Sequence, residues 1–369
     1  MRTRPVRIDQ VIPSIVERDA VSHHTLEAQR VLHSMGFVSE IYACSMGPGL
    51  AGRVHPLSEL PRERSERQWV CYQASIGSPA ADAVASHPGL KLVDYHNISP
   101  FELIERWMPH LGGEVRLGRR QLAELAPVVE LGFADSEFNR VELEEVGYRH
   151  TMLAPLMVDT ANFYSPPDPR VVDRLEAARG LGGHDWLFVG QMLPHKAHHD
   201  VIKALACARK MFDPEARLHL VGRESCPAYA DALRRFVSAL GLTTAVEFVG
   251  SISPGELSAY YASSDVLVCC SEHEGFCVPL LEAMHHKLPV VAYGVAAVPE
   301  TLLDAGIVLP SKSPVLVATA VQRLLTDHQL HDSLVSAGLR RTRSFTVEGA
   351  RRAFAQAIEQ VLQAASECR

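Results

Sequence analysis

The stretch SEHEGFCVPLLE, residues 271–282, follows the apolar run Val266 to Cys270 and leads into the segment Leu280 to His286. The apolar run predicts a buried strand, and the segment after the stretch predicts a short helix. A strand, a glycine-containing loop and a helix start often form an anion site, because the N–H groups and the dipole of the helix start favour a phosphate or a hydroxyl-rich group. The stretch therefore predicts a ligand site at the end of a buried strand.

Two carboxylates bracket this loop. Glu274 lies at its beginning, and Glu282 lies inside the predicted helix. A carboxylate accepts two hydrogen bonds side by side, which suits the vicinal diols of a ribose or a hexose. For either glutamate alone, a structural role explains the sequence equally well, since Glu282 could complement a helix dipole and Glu274 could be solvated. The whole arrangement favours a ligand site.

The segment EGFCVPLLEAM, Glu274 to Met284, resembles the paired-glutamate signature of retaining glycosyltransferases of family 4. The resemblance implies an α/β protein of the GT-B fold, with two Rossmann-like, doubly wound domains facing across a cleft. It also implies that Glu282 binds the ribose of a nucleotide-sugar donor. The residues implied to bind the transferred sugar are Glu274, Gly275, Phe276 and Cys277, with Val278 close by.

Length and composition agree with such a protein. The chain has 369 residues, of which 47% are hydrophobic, so two domains are expected. Its formal net charge of −7 argues against a nucleic-acid partner, which normally requires a basic surface. The eight cysteines show no paired Cys-x-x-Cys spacing, so the sequence indicates neither a zinc site nor a disulfide framework.

The sequence shows no membrane-spanning segment. Met1 to Val16 contains arginines but no uninterrupted apolar region, and no later segment has eighteen apolar residues in a row. We therefore expect a cytoplasmic protein, a setting that also suits unpaired cysteines. Arg106 to Arg120 is the best candidate surface for peripheral membrane contact, although most such mixed stretches are a solvated helix face.

The first half alternates predicted strands and helices, and we assign residues 1–160 to an N-terminal, acceptor-binding domain. Its first predicted helix is Ser22 to Gly36. The predicted strands are Ile8 to Ile15, Phe37 to Ala43, Trp69 to Ile76, Lys91 to Tyr95 and Val128 to Asp135.

Two places in this half are candidates for donor contact. Asp19, Ala20 and Ser22 resemble the Asp-Ala-x-Ser loop of one branch of the family, but the glycines that many members have here are absent. Ser22 is the more ordinary N-cap of the helix. His96 follows a buried strand, at the edge of the sheet where ligands bind. A hydrogen-bonded structural role is the commoner one for such a histidine, whereas the resemblance implies that His96 orients and polarises the reacting sugar.

The second half starts a new alternation of predicted strands and helices. We therefore assign residues 161–344 to a C-terminal, donor-binding domain. The resemblance implies that a last helix, about 345–369, packs back onto the first domain. The predicted strands are Asp185 to Gly190, Arg217 to Gly222, Val246 to Gly250, Val266 to Cys270, Val290 to Tyr293 and Ile307 to Leu309.

Three further residues are implied donor contacts. Lys196 lies in the loop after the first strand of this half and can neutralise a diphosphate as a compact charge. Gln191 stands where relatives usually have an arginine, so either catalysis is slower or another arginine such as Arg223 substitutes. Ile252 lies where relatives bind the nucleobase, largely through backbone groups.

The predicted reaction is transfer of a hexose from a nucleotide-diphosphate sugar to an acceptor hydroxyl. GDP-mannose, UDP-glucose and UDP-N-acetylglucosamine are all suitable donors, and a sugar, a glycolipid or a natural product is a suitable acceptor. The chain has no Asp-x-Asp triplet, so we expect no metal and no cofactor. The resemblance implies retention by same-face attack, with Lys196, Glu274 and His96 as the catalytic residues.

Two alternatives stay open. A nucleotide-sugar 2-epimerase of the same fold would use a similar donor pocket without an acceptor. A catalytically impaired nucleotide-sugar-binding protein would explain both Gln191 and the first loop without glycine.

Overall fold

The computed structural model of the protein describes residues 6–17, 19–50, 52–63, 67–158, 165–180 and 182–367. The chain divides into two compact units. The first unit comprises Met1–Phe101, His110–Asp159 and Phe345–Arg369, and the second comprises Glu102–Pro109 and Thr160–Ser344. The sequence did not predict that Glu102–Pro109 joins the second unit.

The first unit is built on a parallel sheet. Its strands are β1 (Arg7–Ile15), β2 (Ile41–Met46), β3 (His55–Pro56), β4 (Gln68–Ala74), β5 (Leu90–Tyr95), β6 (Leu131–Ala134) and β7 (Thr151–Leu153). Their order in the sheet is β3-β2-β1-β4-β5-β6-β7. The helices between them are α1 (Ala20–Ser34), α2 (Pro79–Ala85), α3 (Pro109–Leu125) and α4 (Glu137–Glu145).

The second unit has a parallel sheet of its own. Its strands are β8 (Asp185–Val189), β9 (Arg217–Val221), β10 (Val246–Gly250), β11 (Val266–Cys269), β12 (Val290–Tyr293) and β13 (Ile307–Leu309), in the order β10-β9-β8-β11-β12-β13. The helices are α5 (Pro169–Arg179), α6 (His198–Met211), α7 (Pro227–Ala239), α8 (Pro254–Ser263), α9 (Val278–His285), α10 (Val298–Leu302), α11 (Pro314–Thr326) and α12 (His328–Thr342).

The last helix, α13 (Val347–Glu367), completes the first unit. Phe354 and Ile358 are fully buried in the same apolar cluster as Leu32 of α1. Arg351 adds an ion pair, because its guanidinium donates to the Glu27 carboxylate over 2.5 and 3.1 Å. Apolar burial and this ion pair, in which two guanidinium nitrogens donate to one carboxylate oxygen, attach α13 to α1.

The observed elements differ from the predicted ones at the start of the chain. The second strand was predicted at Phe37 to Ala43, but β2 is Ile41–Met46, and Val38 forms only an isolated bridge with Arg7. The short edge strands β3 and β7 were not predicted. Edge strands of two or three residues are too short for a period-2 pattern to reveal.

The predicted N-cap of the first helix was wrong. Asp19 is the cap, and its carboxylate accepts from the Ser22 N–H over 2.9 Å and from the Ser22 hydroxyl over 2.8 Å. Ala20 and Ser22 therefore lie in the first turn of α1 rather than in a loop. Arg18, which directly precedes Asp19 in the sequence, lies outside the described residues.

The stretch Arg106 to Arg120 does not form one continuous helix face. Trp107 lies before α3, and its ring packs edge-on against Tyr229 with 5.3 Å between the centroids. Within α3, Arg119 pairs with Glu142 over 3.0 Å. No helix in the described part of the chain is both long and apolar enough to span a bilayer.

Candidate functional site

The strand order of the second sheet places the candidate site. The order reverses between β8 and β11, which pair directly, with Val266 opposite Trp186. In open parallel sheets, ligands bind outside the carboxyl ends of the strands at such a reversal. The loop after β8 contains Lys196, and the loop after β11 contains Glu274. Sheet topology thus brings together two candidate residues that are 78 positions apart.

Lys196 and Glu274 form an ion pair at this point. The Lys196 ammonium donates to Glu274 Oε1 over 2.7 Å. The Glu274 side chain is 9% exposed and the Lys196 side chain is 21% exposed. Burial disfavours the charged ammonium, but the Glu274 carboxylate outweighs this effect and raises the pKa of Lys196 above its usual value. The lysine therefore remains a cation at neutral pH.

Two helices begin beside this pair. Lys196 is the last residue of a short 3-10 turn, Pro194–Lys196, and α6 begins just after this turn. Cys277 directly precedes α9. The Glu272 N–H donates to the His195 carbonyl over 2.7 Å, which joins the two loops. The starts of two helices thus lie near one lysine, which is an arrangement that favours an anion.

Cys277 has a left-handed backbone conformation, with a φ of 68°. A side chain at such a position costs about 1 to 2 kcal/mol that glycine avoids. We therefore expect the variant Cys277→Gly to be more stable than Cys277→Ala by about 1 kcal/mol. Urea unfolding of the two variants measures the difference directly. Equal stabilities, or a more stable alanine variant, would contradict the claim that the backbone at this position is strained for a residue with a side chain.

Glu282 lies in α9, half-buried, where its carboxylate accepts from the Tyr261 hydroxyl over 2.6 Å. Burial raises the pKa of Glu282, and the hydrogen bond from Tyr261 acts in the opposite direction. One carboxylate oxygen is thus held by Tyr261. The sequence analysis did not predict that Tyr261 contacts Glu282. The two residues are 21 positions apart, so no local sequence pattern indicates the contact.

Gln191 lies beside a cation. Its side-chain oxygen accepts from Arg223 Nη2 over 3.2 Å and from the Ser225 hydroxyl over 2.7 Å. Arg223 therefore lies where the sequence suggested that a substitute arginine could act. Ile252 follows β10, further along the same edge of the sheet, and is half-buried.

A buried histidine near Lys196 was also missed. His195 is 7% exposed, and its Nδ1 has no hydrogen-bond partner among the residues that the structure describes. Burial, together with the Lys196 ammonium, holds the pKa of His195 well below its usual range. A neutral imidazole with an unused nitrogen is thus available near the lysine.

In the first unit, His96 is held by hydrogen bonds at both ring nitrogens. Its Nδ1 lies 3.0 Å from Asp135 Oδ2, and its Nε2 lies 2.6 Å from Gln73 Oε1. Since a carboxylate and an amide oxygen only accept, both ring nitrogens carry protons. Burial disfavours this cation, but the Asp135 and Asp94 carboxylates raise the pKa of His96 to about 9. His96 is therefore an imidazolium at neutral pH.

His24 and Asp94 continue this network without needing a metal. His24 Nδ1 accepts from the Met157 N–H over 3.0 Å, so His24 Nε2 carries the proton that it donates to Asp94 Oδ2 over 2.8 Å. His24, Asp94 and His96 lie close enough to hold an ion. The ring nitrogens of both histidines are, however, already hydrogen-bonded to protein groups, whereas Asp94 Oδ1 and Asp135 Oδ1 have no hydrogen-bond partner among the described residues.

The described geometry thus forms two groups. In the second unit it brings together Lys196, Glu274 and Cys277 and places Gln191 beside Arg223. In the first unit, the structure brings His96 and Asp19 close together. The Asp19 carboxylate thereby helps to raise the pKa of His96.

Known proteins resemble the second unit in sequence. Residues 179–341 match the family described as Glycosyl transferases group 1. This match covers most of the domain that forms the second unit. The resemblance found in the sequence is thereby confirmed for this domain, which contains Lys196, Glu274 and Glu282.

Curated relatives are similar over parts of the chain. The D-inositol 3-phosphate glycosyltransferase of Kineococcus radiotolerans is 26% identical over 258 residues, or 66% of this chain and 59% of the relative. The GDP-mannose-dependent alpha-(1-6)-phosphatidylinositol monomannoside mannosyltransferase of Mycolicibacterium smegmatis is 33% identical over 183 residues, or 47% of this chain and 46% of the relative. The chain thus spans about half the length of these relatives.

Solved structures resemble the whole chain in fold. HepE of Anabaena, in complex with UDP and glucose, has a TM-score of 0.76 at 16% identity and matches 96% of this chain and 100% of its own. The sucrose-phosphate synthase of Thermosynechococcus elongatus has a TM-score of 0.76 at 18% identity. The predicted GT-B fold class, with two Rossmann-like, doubly wound domains, is confirmed.

Proposed function

We propose that this protein is a retaining, metal-independent glycosyltransferase that moves a hexose from a nucleotide-diphosphate sugar to an acceptor hydroxyl. The observation that carries the proposal is the Lys196–Glu274 pair, 2.7 Å apart where the strand order reverses, with Glu282 in the helix that follows. A cation before α6, a carboxylate before α9 and a carboxylate within α9 match the three parts of such a donor. These parts are a diphosphate, a hexose and a ribose.

Each part of the donor has a partner in the proposal. Lys196 and the N–H groups at the starts of α6 and α9 stabilise the negative charge that grows on the leaving diphosphate. Glu274 accepts hydrogen bonds from hexose hydroxyls, and Glu282 accepts from the ribose diol with the oxygen that Tyr261 leaves free. The leaving phosphate itself takes the proton of the acceptor hydroxyl, so no protein base is needed in this same-face reaction.

The position of Arg223 supports a transferase over an impaired binding protein. Its guanidinium lies 3.2 Å from the Gln191 side chain, so a cation remains near the residue that replaces the usual arginine. An arginine can bind a phosphate through two N–H groups. We propose that Arg223 and Lys196 together neutralise the diphosphate.

The chemistry of the relatives sets the order in which donors are tried. The mannosyltransferase of Mycolicibacterium smegmatis is named as GDP-mannose-dependent, and HepE of Anabaena was solved with UDP and glucose. We propose GDP-mannose as the first donor and UDP-glucose and UDP-N-acetylglucosamine as the next. The proposed acceptor is a hydroxyl of a sugar, a glycolipid or a natural product, and the acceptor site is proposed for the first unit.

The test is thermal unfolding of the purified protein with each nucleotide sugar in the presence of a chelator, followed by measurement of nucleotide release. A ligand that binds the native state raises the unfolding temperature by an amount that grows with its concentration relative to Kd. We expect one donor to stabilise the protein without a metal and to be consumed only when an acceptor is present. Interconversion of two nucleotide sugars without an acceptor would indicate the epimerase, and binding without turnover would indicate a binding protein.

The variant Glu282→Gln should weaken donor binding by about tenfold to a hundredfold, since loss of a charge-assisted hydrogen bond to the ribose costs about 1.5 to 3 kcal/mol. Isothermal titration calorimetry with the preferred donor measures the effect. The matched control is Glu176→Gln, the same change at an exposed position of α5. Unchanged affinity in Glu282→Gln, or equal loss in both variants, would contradict the assignment of Glu282.

A further inference from the structure

Two cysteines meet Glu274 at the end of β11. Cys269 is the last residue of this strand, and Cys277 directly precedes α9. Their Sγ atoms and a carboxylate oxygen of Glu274 all lie within 4.8 Å of one another. The exposed fractions are 7% for Cys269, 6% for Cys277 and 8% for Glu274. Two thiols and a carboxylate thus share one buried space.

This set of ligands suits a soft divalent cation. Zn²⁺ binds thiolates at about 2.3 Å and carboxylate oxygens at about 2.1 Å in a tetrahedron, which places neighbouring ligand atoms about 3.5 to 3.8 Å apart. A group that is already no wider than 4.8 Å needs only a small inward movement to reach this geometry. Thiolates select Zn²⁺ and related ions over Mg²⁺ and Ca²⁺. A water molecule would complete the tetrahedron.

We propose that Cys269, Cys277 and Glu274 form a binding site for a thiolate-preferring divalent cation such as Zn²⁺, and that this cation excludes the donor. On binding, two metal–sulfur bonds form and the two thiol protons pass to the solvent. The cation with two thiolates and one carboxylate then carries one negative charge. The Lys196 ammonium, 2.7 Å from Glu274, balances that charge. The metal-bound site is therefore neutral as a whole.

The site overlaps with the proposed donor contacts. A metal on Glu274 withdraws the carboxylate from the hexose and keeps Lys196 beside the metal rather than on the diphosphate. It also holds Cys277, the residue from which α9 begins. Only this competition rests on the proposed function. Binding of the cation follows from the three side chains alone.

Co²⁺ is the probe for binding, because its thiolate complexes absorb strongly in the near ultraviolet. The protein is the full chain, reduced and free of oxygen, with the exposed Cys44 and the C-terminal Cys368 replaced by serine to lower the background. We expect one Co²⁺ per chain with a thiolate absorption band, and displacement of the Co²⁺ by Zn²⁺. Absence of the band would overturn the proposal.

Matched variants locate the ligands. Cys277→Gly removes one thiol and suits the left-handed backbone, so the loop should keep its shape. It should weaken Co²⁺ binding by about a hundredfold or more, since loss of even an outer-shell partner costs about tenfold to a hundredfold. Cys269→Ser should do the same. Cys270→Ser, a buried neighbour outside the cluster, should keep the band. A band that survives in Cys277→Gly, or that is lost in a folded Cys270→Ser, would show that other residues bind the metal.

The competition is measured separately. Calorimetric titration with the preferred nucleotide sugar is repeated at a saturating concentration of Zn²⁺. We expect the apparent donor affinity to fall at least tenfold in the parent protein and to be insensitive to Zn²⁺ in Cys277→Gly. If the metal binds but the donor affinity is unchanged, the overlap is wrong. If no nucleotide sugar binds even with a chelator, the proposed function fails while the metal site stands on the Co²⁺ result.

Discussion

Replacing Lys196 with methionine should lower the rate of transfer by about a hundredfold to a thousandfold, the usual cost of removing one preorganised group that stabilises transition-state charge. The lysine is held in place by Glu274, 2.7 Å away, so its charge is positioned before the donor binds. Methionine keeps a long, unbranched side chain, one atom shorter than that of lysine, and removes the charge and the hydrogen bonds. Single-turnover rates with saturating donor and acceptor measure the loss.

The same change also affects stability, and the two effects can be separated. Without the lysine, the Glu274 carboxylate, whose side chain is 9% exposed, loses its partner, which should cost about 1 to 3 kcal/mol of folding stability. The double variant Lys196→Met/Glu274→Gln removes the unpaired charge, so it should recover stability but not the rate. Recovery of the rate in the double variant would mean that Lys196 acts only by neutralising Glu274.

Lys203→Met is the matched control. Lys203 lies on α6, near Lys196 in sequence, and pairs with Asp200 at a more exposed position. Its loss should leave the rate within about twofold, since an exposed ion pair contributes little. A similar fall in both variants would assign the effect to the general charge of the region, and the role of Lys196 would be rejected.

The sequence allowed the proposed donor site to be predicted where its residues are close together in sequence. Glu274 and Gly275 lie in the loop after β11 and Glu282 lies in α9, so the local spacing indicated a ligand site. The hydrogen bond from Tyr261 to Glu282 joins positions 21 residues apart and depends on how α8 and α9 pack. No period or spacing rule describes such a contact.

The cysteine cluster illustrates the same limit. Metal sites are recognised in sequence by short paired spacings such as Cys-x-x-Cys. Cys269 and Cys277 are eight positions apart and are brought together only because the chain turns from β11 into α9 through a left-handed residue. The sequence therefore indicated no metal site here.

His96 was found in the sequence, but its surroundings were not. Its partners Gln73 and Asp135 lie 23 and 39 residues away, at the ends of neighbouring parallel strands. Both ring nitrogens are used within the first unit, so we propose that His96 acts as a fixed positive charge and a positioning residue. Direct hydrogen bonding to the sugar would require one of these bonds to break.

The pH dependence of stability should report this charge. The pKa of His96 is raised from its ordinary value of 6.5 to about 9 in the folded protein. Its stabilising contribution is therefore fully present below about pH 6.5 and is lost as the pH rises through about 9. The difference corresponds to at most about 3 kcal/mol. His96→Gln should be less stable than the parent near neutral pH by up to this amount, and the gap should close towards about pH 10.

Urea unfolding of both proteins is measured across this pH range with a spectroscopic probe placed in the first unit. The result is the difference in their free energies of unfolding at each pH. The control is His110→Gln, the same change at a side chain that is 92% exposed, and it should give no gap at any pH. A gap that is the same at all pH values would mean that His96 contributes packing and neutral hydrogen bonds only. A gap that closes with rising pH would establish a buried imidazolium, held between Asp135 and Asp94, as a stabilising element of the first unit.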